Sequence, residues 1–132
     1  MPNYWLVKTE PSTYSFEDLK REGVATWDGV KNPVAMKHLR AMQPGDEVLV
    51  YHTGKEKSVI GMATVVAAGD PPKLKAKGRL ARPVTLAEIK QDKAFADLAL
   101  VRIGRLSVQP VGASQFRKIL TLGDEPRGGP AP

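Results

Sequence analysis

The 132-residue chain has no cysteine. Disulfides, and zinc or redox chemistry built on thiols, are therefore excluded. No apolar run approaches the ~20 residues that a membrane-spanning helix needs. The opening MPNYWLVK is too short and too polar for a signal peptide, so a cytoplasmic chain with no membrane partner is expected. Histidine is scarce: His38 and His52 fall on different predicted elements, and no Asp or Glu spacing completes a ligand set, so no metal is expected. Gly54-Lys55 and Gly78-Arg79 lack the flanks of a phosphate loop, and Ser107 has no nucleophile-elbow setting. No cofactor is expected. Tryptophan occurs only twice, at Trp5 and Trp27.

What is present suits one domain. A chain of this length buries roughly two-thirds of its unfolded surface, enough for a core without covalent staples. Twenty Lys and Arg face 14 acids, a net charge of +6. That surplus favours an anionic partner. Residues 1–123 are read as one unit and 124–132 as a flexible tail, and the chain is expected to be a monomer.

Short strands alternate with short helices. Tyr4–Lys8 reads as a strand that Glu10-Pro11 ends. Ser15 with Asp18 forms a capping box for a helix over Phe16–Glu22, with Tyr14 and Leu19 at the staple positions. Asn32-Pro33 starts a second helix, whose buried stripe is Ala35, Leu39 and Met42. Val48–Thr53 and Ser58–Ala68 are strands around a polar hairpin loop, and Gly61 marks a bulge or a close backbone approach. Lys73–Leu80 has a period of two, with Lys73, Lys75, Lys77 and Arg79 on one face. Thr85 and Glu88 cap a brief helix, and Phe95–Leu100 contains about one helical turn. Leu106–Val111 is a strand that Pro110 marks as an edge, and Gly112–Leu122 is a last helix that stops at Gly123. Gly-rich strands this short must close or curl to hide their edges, which points to a compact barrel with helices in its connections.

The stretch WDGVKNP, Trp27 to Pro33, sets an indole beside a carboxylate, an ammonium and an amide. An indole in such company is either core or a platform for a planar ligand, gripped at its edge by polar groups. The four cations of Lys73–Arg79 either track a phosphate backbone or guard a solvated edge strand. The first case gives a log–log salt slope of roughly −3 on single strands; the second uses lysine against edge-to-edge pairing.

The chain resembles the EVE-domain family, within the PUA-like group. YWLVKTEP at Tyr4–Pro11 is similar to that family's opening Y-W-L-x-K-S/T-E-P. WDGVKN at Trp27–Asn32 is similar to its W-D-G-V-R/K-N, and the segment Leu39–Thr53 to its helix–turn–strand ending in Y-H-S/T. IGMATV, RPVTLAEIK and LSVQPV resemble the later blocks, in family order up to Gly123. The resemblance implies an α+β fold, a small mixed β-barrel with surrounding short helices. It also implies a non-catalytic module that binds nucleic acid, DNA or RNA, and recognises a modified cytosine or adenine in a pocket. The pocket residues it implies are Lys8, Thr9, Glu10, Trp27, Asp28, Gly29, Val30, Asn32, Tyr51, His52 and Thr53. Phosphate contacts are expected from Lys31, Lys37, Lys73, Lys75, Lys77 and Arg79. The chain departs from the family at Pro33 and Met36-Lys37, which bear on the pocket lining, and in a loop compressed to Gly69–Pro72, which alone implies a more open site. The competing reading is a small hydrolase or nucleotide-modifying enzyme that uses Glu10, Asp28 and His52 as acid, base or proton carrier.

Overall fold

A computed structural model describes residues 2–124 of the chain. Strand β1 is Tyr4–Thr9, α1 is Phe16–Glu22, β2 is Val24–Thr26 and α2 is Pro33–Ala41. Then come β3 at Glu47–His52, β4 at Ser58–Ala67 and β5 at Lys73–Thr85. Short helices α3 (Leu86–Lys90) and α4 (Ala99–Arg102) flank a 3-10 turn at Lys93–Phe95, before β6 (Val108–Val111) and α5 (Ala113–Asp124). The strands form one six-stranded sheet in the order β2-β5-β4-β3-β1-β6. It curls into a half-barrel. β1 runs parallel to β3, and the other pairs are antiparallel.

Local chemistry explains most element starts. Ser15 accepts from the Asp18 N–H while Asp18 accepts from the Ser15 N–H, so the capping box of α1 closes in both directions. Thr85 and Glu88 do the same for α3. Asn32 accepts from the N–H groups of Val34 and Ala35, and Pro33 sits at the first helical position, where its missing donor costs nothing.

The curled sheet has a core on each side. One contains Trp5, Val7, Phe16, Leu19, Trp27, Leu39, Val50 and Leu74. The other contains Leu6, Leu49, Tyr51, Val59, Ile89, Phe95, Phe116 and Ile119. Consecutive residues of β1 alternate between them, as a pleated strand covered on both faces requires. Trp5 is core, and its indole N–H donates to buried Asp46 at 2.9 Å. Gly61 has the expected close approach: a Cβ there would lie 2.7 Å from the Phe16 ring and 2.8 Å from the Gly78 carbonyl oxygen.

Several expectations are corrected. β2, only three residues long, pairs with Lys73–Lys75 and had no sequence signal of its own. The basic run is therefore not an edge strand along its first residues, since β5 lies between β2 and β4. β5 also continues to Thr85, past the expected end at Leu80: between Gly61↔Arg79 and Val59↔Val84 it carries extra residues that break the ladder and bend the strand. Leu106 and Ser107 precede β6 instead of belonging to it. Gly123 does not stop α5. It lies inside the helix and is buried, and a Cβ there would come 2.8 Å from the Leu80 side chain, so glycine serves packing. The expected tail begins at Asp124, which is helical; the rest of it, 125–132, lies outside the described residues.

Candidate functional site

Curling brings the two edges of the sheet to opposite sides of one cavity of about 810 Å³. Ala25 and Thr26 of β2 line one side. Ser107, at the entry to β6, lines the other with Lys8 and Thr9 of β1. The loop after β2 supplies Trp27, Asp28, Gly29, Val30 and Lys31, and the turn after β1 supplies Glu10, Thr13 and Tyr14. The volume falls in the ~300–1,000 Å³ range of small-ligand sites.

Trp27 is only 7% exposed and belongs to the core, yet it borders this cavity. The indole is therefore core, and it also forms part of the cavity wall. Its N–H main-chain group donates to the Pro72 carbonyl at 2.9 Å, which pins the loop to the residue before β5. Tyr14 meets Trp27 edge to face, with ring centres 6.0 Å apart. The Tyr14 hydroxyl donates to Glu22 at 2.8 Å. Burial first, then this bond to Glu22, push the phenol well above the ordinary tyrosine range, so it stays protonated. Gly29 has φ +80°, a conformation that favours glycine and turns the chain sharply between Asp28 and Val30. Asp28 and Lys31 stand exposed at the rim.

Glu10 is held from several directions. The Ser12 N–H and hydroxyl donate to one carboxylate oxygen, and the Thr53 hydroxyl donates to the other at 3.1 Å. The backbone bond from Ser12 is the main cause that keeps this carboxyl below the usual glutamate range. A group stabilised as the anion is an acceptor by design, and the opposite of a poised general acid.

The site residues expected from sequence divide accordingly. Lys8, Thr9, Glu10, Trp27, Asp28, Gly29 and Val30 come together around this cavity, with Lys31. Asn32 does not line it, because its side chain is committed to capping α2. His52 is 4% exposed, and its Nε2 accepts from the Phe16 N–H at 3.0 Å, which leaves Nδ1 to donate to Glu56 at 3.1 Å. It anchors the start of α1 and does not meet Asp28 at the cavity. Tyr51 and Thr53 line a smaller cavity of about 230 Å³ on the other side of the β1 and β3 ends. Of the expected phosphate contacts, Lys77 pairs with Glu47 at 3.1 Å and Arg79 pairs with Glu17. Lys37, Lys73 and Lys75 are exposed and line neither cavity. Among the described residues no group of His, Asp and Glu could hold a metal.

Sequence reasoning missed Tyr14, Glu22, Thr26 and Ser107 as cavity residues. Tyr14 carried a signal, an aromatic four residues after the K-T-E corner, but the staple position explained it first. The others come together only through the curl of the sheet.

Comparison with known proteins gives a consistent outcome. Mouse thymocyte nuclear protein 1 is 37% identical over 83 residues, covering 54% of this chain and 37% of the mouse protein. The chain thus matches well under half the length of that relative. A crystal structure of a protein from Agrobacterium tumefaciens superposes with a TM-score of 0.89 at 31% identity, covering 98% of this chain and 99% of that one. Human THYN1, solved in complex with DNA containing 5-methylcytosine, superposes with a TM-score of 0.84 at 27% identity, covering 94% and 99%. The EVE domain model matches residues 3–122, nearly all of the described fold including every residue around the larger cavity, and on that ground the chain belongs to the EVE-domain family.

Proposed function

We propose that this chain binds DNA carrying a modified cytosine and holds the flipped base in the 810 Å³ cavity. The observation that carries this reading is the composition of the cavity. The buried Trp27 ring and the half-buried Tyr14 ring stand beside Val30 and Ala25, and carboxylates and hydroxyls ring the apolar wall. A planar base presents an apolar face and a polar edge, and the cavity matches both. The relative seen with 5-methylcytosine DNA supports the choice of base and of polymer.

In this reading the pyrimidine lies against Trp27 and Tyr14, and its 5-substituent enters the apolar corner at Val30. Asp28 accepts from the exocyclic amine, the donor that distinguishes cytosine from thymine. Glu10, locked as an anion, serves as a second acceptor. Flipping a paired base costs a few kcal/mol, and stacking on aromatics returns about 1–3 kcal/mol per base. Base contacts alone therefore come near break-even, and cations must supply the rest of the affinity.

The test is fluorescence anisotropy with two duplexes that differ at a single cytosine, methylated at C5 in one, at two salt concentrations. Tighter binding of the methylated duplex is expected, with both duplexes weakened in Asp28→Asn because the exocyclic amine is common to the two bases. Equal affinity for both duplexes would overturn the proposal.

A further inference from the structure

The smaller cavity, of about 230 Å³, has a different chemistry. Lys8, Lys57 and Lys90 line it and no acid does. Lys57 and Lys90 are exposed and form no ion pair among the described residues. Cations left together without a counter-charge repel one another, so their convergence on one concavity calls for an anion. The cup is also built, not incidental. Lys57 has φ +43°, an uncommon backbone state for a residue other than glycine. Its carbonyl accepts from the Leu86 N–H at 2.8 Å, tying the β3–β4 hairpin to α3, the helix that carries Lys90.

Lys8 connects the two cavities, since it lines both. Its ammonium donates to the Gly104 carbonyl at 2.7 Å and lies 5.7 Å from the centre of the Tyr51 ring. An ammonium has three donors, so two remain for a ligand. Burial lowers its pKa by withdrawing the ammonium from water. Glu10 lines the other cavity; its carboxylate stands behind Thr53 and Gly54 in the wall of the cup and is held there by Ser12 and Thr53.

We propose that Lys8, Lys57 and Lys90 form a phosphoryl-binding cup that holds a backbone phosphate of the strand whose base occupies the larger cavity. This rests on the function proposed above and adds the grip that base contacts leave short. A phosphate neutralised by two mobile lysines releases counterions, so the cup sets salt dependence and not base preference.

The experiment compares the wild type, a Lys57→Gln/Lys90→Gln pair and a Lys73→Gln/Lys75→Gln pair on the methylated and unmethylated duplexes across a salt series. The second pair removes the same charge from residues outside both cavities. The cup predicts that Lys57→Gln/Lys90→Gln flattens the log–log salt slope by about 1, the share of one neutralised phosphate. Both duplexes should weaken by the same factor, while Lys73→Gln/Lys75→Gln changes the slope much less. Amide NMR titration with inorganic phosphate separates the sources. Saturable shifts at Lys57, Lys90 and Gly104 mean that free phosphate suffices; a slope change without such shifts assigns the cup to the polymer backbone. An unchanged slope together with no phosphate-induced shifts overturns the cup. If the wild type binds neither duplex at low salt, the proposed function falls by itself, and the phosphate titration alone then decides the cup.

Discussion

The two cavities flank the same strand ends but carry opposite charge. The larger holds Glu10, Glu22 and Asp28 against Lys8 and Lys31, a net negative balance, beside an aromatic pair; the smaller holds lysines and no acid around Tyr51 and aliphatic side chains. A phosphate would be repelled by the first and attracted by the second, while an uncharged heterocycle with an amine edge has the reverse preference. The chain's positive charge is thus sorted, not spread. Lys77 and Arg79, conspicuous in the sequence as a basic face, are satisfied by Glu47 and Glu17. Cations drawn from three remote segments remain unpaired around the smaller cavity.

Variants can break this contrast at several strengths. Trp27→Ala should have the largest effect, because the indole is core as well as wall. Loss of a buried Trp costs about 3–5 kcal/mol, and urea unfolding should register it, with Trp27→Phe recovering much of the loss. Asp28→Asn is expected to leave the unfolding midpoint unchanged while costing about 1–3 kcal/mol of discrimination between cytosine and thymine, read by anisotropy on duplexes that differ in that base. Tyr14→Phe keeps the ring contact with Trp27 and removes only the bond to Glu22. A modest fall in stability is expected in urea unfolding, about 1 kcal/mol for one hydrogen bond, with the ring wall of the cavity retained.

The smallest effect lies outside both cavities. Arg82 donates to both oxygens of Glu88, and this is the main cause that holds the Glu88 carboxyl below its usual range. A depressed carboxylate stabilises the fold above its unfolded pKa, and that contribution fades as pH falls through the lower, folded value. Glu88→Gln should therefore lower stability at neutral pH by at most ~1 kcal/mol for this partly exposed pair. The difference from wild type should shrink in strong acid, as thermal melts over a pH series would record.

Features encoded by neighbours in sequence were legible. The boxes at Ser15–Asp18 and Thr85–Glu88, and the Asn32-Pro33 start, lie within one helical turn and formed as read. The loop Trp27–Lys31 and the corner Lys8–Glu10 could be associated through their motifs, and they do meet at one cavity. What depended on long-range pairing was not legible. β2 is too short to have a periodicity, and exists because Lys73–Lys75 offers it a ladder. His52 sits in a motif but spends its ring on the Phe16 N–H, 36 residues away in sequence. Gly123 looked like a helix stop because the Leu80 side chain that crowds it belongs to another element. The lysine cup joins the end of β1, a hairpin and α3, and no window of sequence contains it.

The most direct measurement places the base itself. A duplex with a single 13C-methyl-labelled 5-methylcytosine, bound to the protein, should give intermolecular NOEs from that methyl group to the side chains of Val30 and Trp27. A methyl group whose NOEs remain confined to its own neighbours in the base stack would contradict the account.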